Sequence, residues 1–241
     1  MHTACWFRLS MTRKRFDHIS LHFNSPEMRE VYERVKGKFE IIGINEDDVS
    51  TWKNNGFSKN IVWKNWSDGM RGSSVNSIYC DMGAIPYYVL ISPDRRIVWK
   101  DMGYNPGWFI GIADVVNGLE IKQDNSANYQ FIVRQVNTDA NGTTVGFRYY
   151  GHKDYWFRIA KDSYLEANGK KYKLTAADGI KLDENNYPTV KATASTEYPL
   201  NGLCYSDFTL TFEPFDTLPK TFDFKEGDGD GAFVIRNVSL K

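Results

Sequence analysis

Cysteine is scarce in this chain, and the three that it contains are far apart. Cys5, Cys80 and Cys204 are distributed over 241 residues. An odd number of widely separated cysteines does not form a disulfide framework, and a structural zinc site needs clustered ligands. We therefore expect each cysteine to be a solitary thiol, either in the core or on the surface.

Net charge and long apolar runs are also missing. Thirty basic and thirty acidic residues cancel, so no overall field attracts nucleic acid or an anionic membrane. The longest apolar runs, Tyr87 to Ile91 and Trp108 to Ile112, fall far short of the about 20 residues that a membrane-spanning helix needs. No apolar stretch follows the basic run Arg13 to Arg15, so we expect neither a secretory signal nor a membrane span.

Two common catalytic motifs are absent as well. The chain has no Gly-x-x-x-x-Gly-Lys phosphate loop and no Gly-x-Ser-x-Gly nucleophile elbow, which argues against phosphoryl transfer and serine hydrolysis. What the chain does have is 41% hydrophobic and 15% aromatic residues. That is enough apolar material for two modest domains with real cores.

The first half of the chain has the pattern of alternating helices and strands. Asn24 to Glu27 combines a capping side chain, a proline and an acidic residue, which is typical of a helix start, and Gly37 is suited to end that helix. The continuous apolar run Phe39 to Ile44 predicts a strand that is buried on both faces. Further expected elements are helices over Asp47–Asn55, Val75–Met82 and Pro106–Leu119 and a more exposed strand over Ile61–Trp66.

The stretch from Gly83 to Asp94 joins a Gly-x-Ile-Pro corner to an apolar strand and a turn. Together with the second hairpin strand, Arg95 to Lys100, and the buried strand Phe39 to Asn45, it resembles the cis-proline loop region of the thioredoxin-like fold. The resemblance is closest to the TlpA-type branch of bacterial envelope thiol-disulfide oxidoreductases. It implies an α/β thioredoxin-like domain, whose first strand only Cys5 to Leu9 can supply, and a location in the periplasm or cell envelope.

The reactive Cys-x-x-Cys of that family is missing. The resemblance places its two cysteines near residues 16 to 20, where Asp17 and Ser20 stand. Disulfide exchange needs a sulfur nucleophile, which neither residue has. We therefore predict no catalytic residue, no cofactor and no redox activity. Cys80 is a conceivable lone nucleophile beside the proline corner, but the absence of a second thiol nearby favours a buried helix thiol.

The proline corner is the candidate binding element. In the family that the chain resembles, this loop presents backbone groups to an extended peptide, which is a form of strand addition. Ala84, Ile85 and Pro86 are therefore the predicted substrate-binding residues. The alternative is that Pro86 only shapes the corner, as a fixed cis proline does.

The second half of the chain consists of short β-branched or aromatic segments that are separated by turn signals such as Asn141-Gly142 and Asn168-Gly169. We predict an antiparallel Ig-like β-sandwich over residues 129–241, a thioredoxin-like domain over 1–121 and a linker over 122–128. Trp156 to Leu165 and its flanks resemble an uncharacterised sandwich module of bacterial envelope proteins. Predicted strands are Tyr129–Val136, Thr143–Tyr149, Tyr155–Ala160, Tyr172–Leu174, Phe208–Phe212, Thr221–Phe224 and Ala232–Leu240.

Three weaker site hypotheses accompany these. Asp17, His18 and His22 are a candidate metal-binding group, but the sequence around them lacks a His-Glu-x-x-His core. Asp228 to Gly231 is a candidate calcium-binding loop. An EF-hand loop has an acidic residue at its twelfth position, which is missing here, so we expect a hairpin turn. The aromatics of the second half either stack on sugars or peptides or, more simply, belong to the core; they are Tyr149, Tyr150, Tyr155, Trp156, Tyr187, Tyr198 and Tyr205.

Two functions of different classes remain. The first is a redox-inactive thioredoxin-like protein that has a binding or scaffolding role and holds an extended peptide or an envelope protein. The second is a TlpA-type thiol-disulfide oxidoreductase whose Cys-x-x-Cys segment is missing from this chain; the poor match of residues 1–15 to a first strand and the absence of a signal favour it. Neither specifies an oligomeric state.

Overall fold

The computed structural model describes residues 6–9, 26–38, 40–45, 48–54, 61–67, 69, 87–91, 96–102, 105–117, 119, 121–125, 127–191 and 203–240. Contacts between residues divide the chain into two compact units, one formed mainly by residues 1–105 and the other mainly by residues 106–241. We call them the sheet unit and the barrel unit.

The sheet unit is an α/β structure with a five-stranded sheet in the order β3-β2-β1-β4-β5. Strand β1 is parallel to β2, which is parallel to β3, whereas β4 is antiparallel to both β1 and β5. This mixed order is the thioredoxin-like arrangement expected from the sequence. The elements are β1 (Trp6–Leu9), α1 (Pro26–Val35), β2 (Glu40–Asn45), α2 (Val49–Asn54), β3 (Lys64–Ser67), β4 (Tyr87–Ile91) and β5 (Ile97–Met102).

Local sequence accounts for both short helices of this unit. Helix α1 begins at Pro26 and buries one stripe of apolar side chains, among them Met28, Val31 and Val35. It ends before Gly37, whose φ of 83° other residues rarely adopt. Helix α2 is capped by Asp48, whose carboxylate accepts a 2.9 Å hydrogen bond from the backbone N–H of Thr51. The predicted helix over residues 75–82 lies outside the described residues.

The barrel unit begins with a helix and continues as strands. Seven strands form one antiparallel path in the order β13-β12-β8-β9-β11-β7-β6, and the short β10 pairs with β11 beside it. The elements are α3 (Pro106–Val116), β6 (Phe131–Asp139), β7 (Gly142–His152), β8 (Tyr164–Ala167), β9 (Lys170–Asp178), β10 (Val190–Lys191), β11 (Leu203–Phe212), β12 (Thr221–Lys225) and β13 (Val234–Ser239).

The two ends of this path almost meet, so the sheet nearly closes into a barrel. The chain that leads into β6 is hydrogen-bonded to β13, because Asp124 and Arg236 exchange backbone bonds of 2.8 and 2.9 Å and Ser239 N–H donates to Lys122 at 2.9 Å. Inward-facing side chains of all the long strands then fill one common core. The expected Ig-like sandwich of two separate sheets is not what these pairings form. Most of these strands and the turns between them were predicted from the sequence, whereas the pairing partners were not.

The segment predicted as a linker and the helix before it both bond to the barrel strands. Besides its bonds to β13, the segment 122–125 holds Asn125, whose side-chain N–H donates to Phe131 C=O. In α3, a Cβ on Gly111 would lie 1.6 Å from the carbonyl oxygen of Tyr129, so only glycine allows this close approach. The domain division at 122–128 stays a prediction, while the contacts group α3 with the strands that follow it.

The hairpin turns follow their predicted chemistry. Asn168 and Gly169 connect β8 to β9 with φ values of 52° and 76°, which is the type I′ geometry that Asn-Gly favours. Asp228 lies in the loop between β12 and β13 and accepts hydrogen bonds from Tyr164 Oη and Lys171 Nζ at 2.6 and 2.7 Å. The hairpin interpretation of residues 228–231 is thus confirmed, and side-chain donors occupy this carboxylate.

Candidate functional site

The predicted peptide-binding residues Ala84, Ile85 and Pro86 lie outside the described residues, and so do Asp17 and Ser20. The strands that flank them are described. Strand β4 begins at Tyr87, the residue after Pro86, and Tyr88 pairs with Leu9, the last residue of β1. The end of β1 and the start of β4 therefore lie side by side at the carboxyl end of the parallel strands, where α/β sheets commonly bind ligands.

The first residues of β4 are firmly packed. Tyr87 and Tyr88 are both buried, and the Tyr88 ring stacks on Trp99 of β5 with 6.5 Å between centroids. Such packing fixes the start of the strand, and with it the point from which the 84–86 loop departs. The predicted binding residues directly precede this firmly packed strand in the sequence.

Polar side chains lie at the same carboxyl end, and our sequence reasoning missed them. Strand register sets Asn45 opposite Ser67 and Gly43 opposite Asn65, so the three polar side chains share one face of the sheet. Asn45 is fully buried. The amide oxygen and nitrogen of Asn65 are shielded from solvent and have no hydrogen-bond partner among the described residues; a buried polar group left unpaired costs about 1–3 kcal/mol. Asparagine at the end of an otherwise apolar strand was the available signal.

Thiol chemistry finds no support among the described cysteines. Cys204 is buried in β11 of the barrel unit, between Gly151 of β7 and Lys191 of β10. The expectation of a core thiol is confirmed for this residue, whereas Cys5 and Cys80 lie outside the described residues. No cysteine pair is seen in the described part of the chain.

Metal ligands do not cluster in the described ranges either. Within them, no group of three His, Cys, Asp or Glu side chains is placed to hold an ion. The residues of the metal hypothesis, Asp17, His18 and His22, lie outside those ranges. No helix among the described residues is long and apolar enough to cross a membrane.

The aromatic residues of the second half separate into two groups. Tyr149 and Tyr150 are buried, as the core interpretation expects. Tyr155, Trp156 and Tyr187 are instead 63%, 54% and 51% exposed. Tyr198 lies outside the described residues. The structure therefore leaves three large aromatic side chains open to a ligand.

A network of charges and rings covers the outer face of strands β7 and β11. Arg148 donates two hydrogen bonds of 2.7 Å to the Asp207 carboxylate and lies 4.0 Å from the ring centroid of Tyr205. The bonds to Asp207 raise the pKa of the Arg148 guanidinium above its ordinary value. Two N–H groups of Arg148 bond to the Asp207 carboxylate and its guanidinium lies over the Tyr205 ring, so this trio stabilises the pairing of β7 with β11.

Tyr150 and Asp114 join the barrel to helix α3. Tyr150 Oη donates a 2.7 Å hydrogen bond to the Asp114 carboxylate, which also receives a 3.1 Å bond from Arg134. Burial, reinforced by the Asp114 charge, raises the pKa of Tyr150 to about 12. These groups are structural, because they hold one another.

Comparison with known proteins yields structural similarity only. No protein-family model matches the chain, and no curated protein matches it. A thiol-disulfide oxidoreductase from Bacteroides fragilis is 16% identical over 43% of this chain and 74% of its own, with a TM-score of 0.33. A thiol:disulfide interchange protein from Bacteroides sp. is 20% identical over 48% and 74%, with a TM-score of 0.36.

A thioredoxin-like protein from Bacteroides caccae is 11% identical over 48% of this chain and 40% of its own, with a TM-score of 0.35. These structural neighbours are thioredoxin-like proteins of low identity that match somewhat less than half of the chain. At such scores, the assignment of the sheet unit rests on its own strand order and register.

Proposed function

We propose that this chain is a redox-inactive thioredoxin-like protein of the bacterial envelope that binds an extended polypeptide at Ala84, Ile85 and Pro86. One observation carries the proposal: the chain combines a thioredoxin-like sheet with a sequence that has no Cys-x-x-Cys, since its three cysteines are far apart along the chain. Without a second thiol, a mixed disulfide has no resolving partner. Binding is the family property that survives this loss.

Two features of the sheet unit support peptide binding at that loop. The loop leads directly into β4, an antiparallel strand beside β1, so its backbone is suited to add an extended chain by strand pairing. The Asn65 amide, which has no partner among the described residues, lies on the same sheet, near the level at which β1 ends, and a buried polar group of this kind calls for a partner such as a bound molecule or a water. The envelope location follows from the family resemblance.

Insulin provides a probe for both parts of the proposal. We expect no acceleration of insulin disulfide reduction by dithiothreitol, and we expect binding of the reduced, alkylated insulin B chain, measured by fluorescence anisotropy. Ile85→Asp should weaken that binding at least tenfold, because a charge would replace an apolar side chain at the proposed binding position. Trp66→Ala, at an exposed site on β3, is the control.

The outcomes separate the two claims. Disulfide reduction above background that disappears in Cys80→Ser would show a working thiol and overturn the redox-inactive assignment. Equal B-chain binding by the Ile85→Asp variant and the unchanged protein would reject the loop as the binding element. No binding at all would reject the peptide role.

The alternative proposal is a TlpA-type thiol-disulfide oxidoreductase whose Cys-x-x-Cys segment is missing from this chain. It rests on the resemblance to thiol-disulfide oxidoreductases, whereas the central β1, which pairs with both β2 and β4, removes the argument from a poorly matched first strand. Intact mass and N-terminal sequencing of the protein from its native host would decide between the two. A Cys-x-x-Cys ahead of α1 supports the oxidoreductase, whereas a match to Met1–Lys241 supports the binding protein.

A further inference from the structure

The exposed aromatics of the barrel unit include two that lie opposite each other on paired chain segments. Phe157 and Asn186 form an isolated antiparallel bridge in which each backbone N–H donates a 2.9 Å bond to the other residue. This register sets Trp156 opposite Tyr187 and Arg158 opposite Asn185. We call these four residues the Trp156 platform.

Alternation along the extended segment explains why the platform faces outward. The Phe157 ring is buried and packs against Tyr149 and Phe131, at 4.2 and 5.8 Å between centroids. Its neighbours Trp156 and Arg158 therefore extend away from the barrel core. More than half of the Trp156 surface and of the Tyr187 surface remains open to solvent.

Arg158 restrains the platform side chains. Its guanidinium carbon lies 5.7 Å from the Trp156 ring centroid, and its Nη2 donates a 3.0 Å hydrogen bond to Asn185 Oδ1. The indole thus has a cation over one face, and the Asn185 amide holds that cation in place. A ligand that binds there meets groups whose orientation is already fixed, which lowers the entropy cost of binding.

The backbone beneath the platform is braced as well. The Asn186 side chain accepts a hydrogen bond from Lys181 N–H and donates to the carbonyls of Lys181 and Glu184. Asp183 N–H donates to the Ile159 carbonyl, and the Asp183 carboxylate accepts from Lys161 N–H. Each of the two exposed rings forgoes the free energy that burial of its apolar surface would provide, although the backbone beneath them is firmly held.

We propose that the Trp156 platform binds pyranose rings of a neutral polysaccharide. The C–H face of a pyranose packs on the electron-rich face of an aromatic ring, and the sugar hydroxyls can bond to the Asn185 amide and the remaining Arg158 N–H groups. Trp156 and Tyr187 are cross-strand neighbours next to one bridge, a placement that suits two neighbouring sugars of one polysaccharide chain. This assignment does not depend on the peptide role of residues 84–86.

Area and charge argue against other ligand classes. The open parts of the two rings amount to about 200 Å², whereas a stable protein partner needs about 800 Å² on each side. Single-stranded nucleic acid needs a basic groove, but Lys161 and Lys181 are paired with Asp183 and Glu184 at 3.3 and 3.4 Å. A sugar ring matches both the small apolar area and the adjacent polar groups.

Affinity electrophoresis of the full chain tests the proposal. Native gels would contain a mixed-linkage β-glucan, a xylan, a galactomannan or an α-glucan. We expect at least one of them to retard the protein, and we expect Trp156→Ala and Tyr187→Ala each to weaken that retardation at least tenfold. Trp66→Ala is the matched control, because Trp66 is a tryptophan of similar exposure, 50%, on β3.

Several results would overturn the assignment. They are retardation by none of the four polysaccharides, retardation that Trp156→Ala leaves unchanged, or retardation that Trp66→Ala weakens equally. A dimer that sedimentation detects and Trp156→Ala abolishes would identify the platform as a contact between copies instead. Because the Trp156 side chain is half exposed, its removal should leave thermal unfolding almost unchanged, which separates lost binding from lost folding.

Discussion

The two units of this protein fill their cores in different ways. The barrel unit has a single cluster of eighteen buried residues, of which seven phenylalanines and two tyrosines make half. The described core of the sheet unit relies more on aliphatic side chains, such as Ile41, Ile42 and Val89, and it also buries Asn45 at the end of β2. A polar group inside a core costs free energy unless it is paired. The barrel unit buries polar side chains as well, namely Asn125, Thr143 and Ser163, so the two cores differ in their apolar side chains, which are mainly aromatic in the barrel unit and more often aliphatic in the sheet unit.

Removal of one central aromatic ring from the barrel core should change the stability of the barrel unit more than any other proposed substitution. Phe224 is fully buried, with ring centroids 4.9 Å from Phe147 and 5.7 Å from Phe233. We expect Phe224→Ala to lower the free energy of unfolding of the barrel unit by about 3–5 kcal/mol. Leu218→Ala, at a 65% exposed site, is the control and should have almost no effect.

Hydrogen exchange measured at increasing urea concentration can follow each unit separately, because it reports on the amides of the sheet strands and of the barrel strands individually. Tryptophan fluorescence mixes the two units, since Trp108 and Trp156 belong to the barrel unit. If Phe224→Ala weakens sheet and barrel equally, the two units unfold as one and the comparison between their cores fails. If only the barrel amides lose protection, the cores are energetically separate.

Alkaline pH should act on the barrel through its buried tyrosines. Burial raises the pKa of Tyr149 and of Tyr150 to about 12 from an ordinary value of 10, so the folded state keeps these protons to higher pH than the unfolded state. Their contribution is fully present below pH 10 and is lost as the pH rises to 12. The loss amounts to about 2 kcal/mol for each tyrosine at pH 12.

Tyr150→Phe is the variant that measures this effect, through urea midpoints taken between pH 9 and pH 12. The variant starts from a lower stability, since it loses the bond to Asp114, but its stability should fall less steeply with pH. Tyr155→Phe is the control, because Tyr155 is 63% exposed, and its stability should change with pH as that of the unchanged protein does. A Tyr150→Phe curve that runs parallel to that of the unchanged protein would contradict the assignment.

The smallest expected effect concerns a turn. Gly169 has a φ of 76° and open space around its Cα, so Gly169→Ala meets no neighbouring atom and only the cost of left-handed backbone, about 1 kcal/mol. Gly229→Ala is the control, because Gly229 also has open space and lacks a positive φ. Thermal unfolding should separate the two variants; equal midpoints would remove the strain argument.

Local signals predicted local structure well. The start of α1 at Pro26, its end before Gly37 and the turn at Asn168-Gly169 follow from the conformations that these residues allow. The mixed sheet of the first unit was predicted through family resemblance, which located β1, β2, β4 and β5. The predicted strand over Tyr155–Ala160 was wrong, because only Phe157 pairs there and by a single bridge.

Long-range pairing could not be predicted in the same way. The bonds between Asp124 and Arg236 connect residues that are far apart in sequence, and neither has a side-chain pattern that would reveal the partner. Exposure was equally hidden: Tyr149 and Trp156 are both aromatic residues in a strand-rich segment, yet one is in the core and the other is outside. Ala84, Ile85 and Pro86 stay predictions from the resemblance.

The bonds between residues 122–124 and β13 also bear on how this protein behaves at high concentration. An open sheet presents a row of unpaired N–H and C=O groups at each outer strand, and these can recruit another chain and seed fibrils. Where Asp124 covers Arg236 and Lys122 covers Ser239, β13 has no such free row. A substitution that breaks these bonds would therefore expose β13 as an unpaired edge strand. We expect such a variant to self-associate before it unfolds.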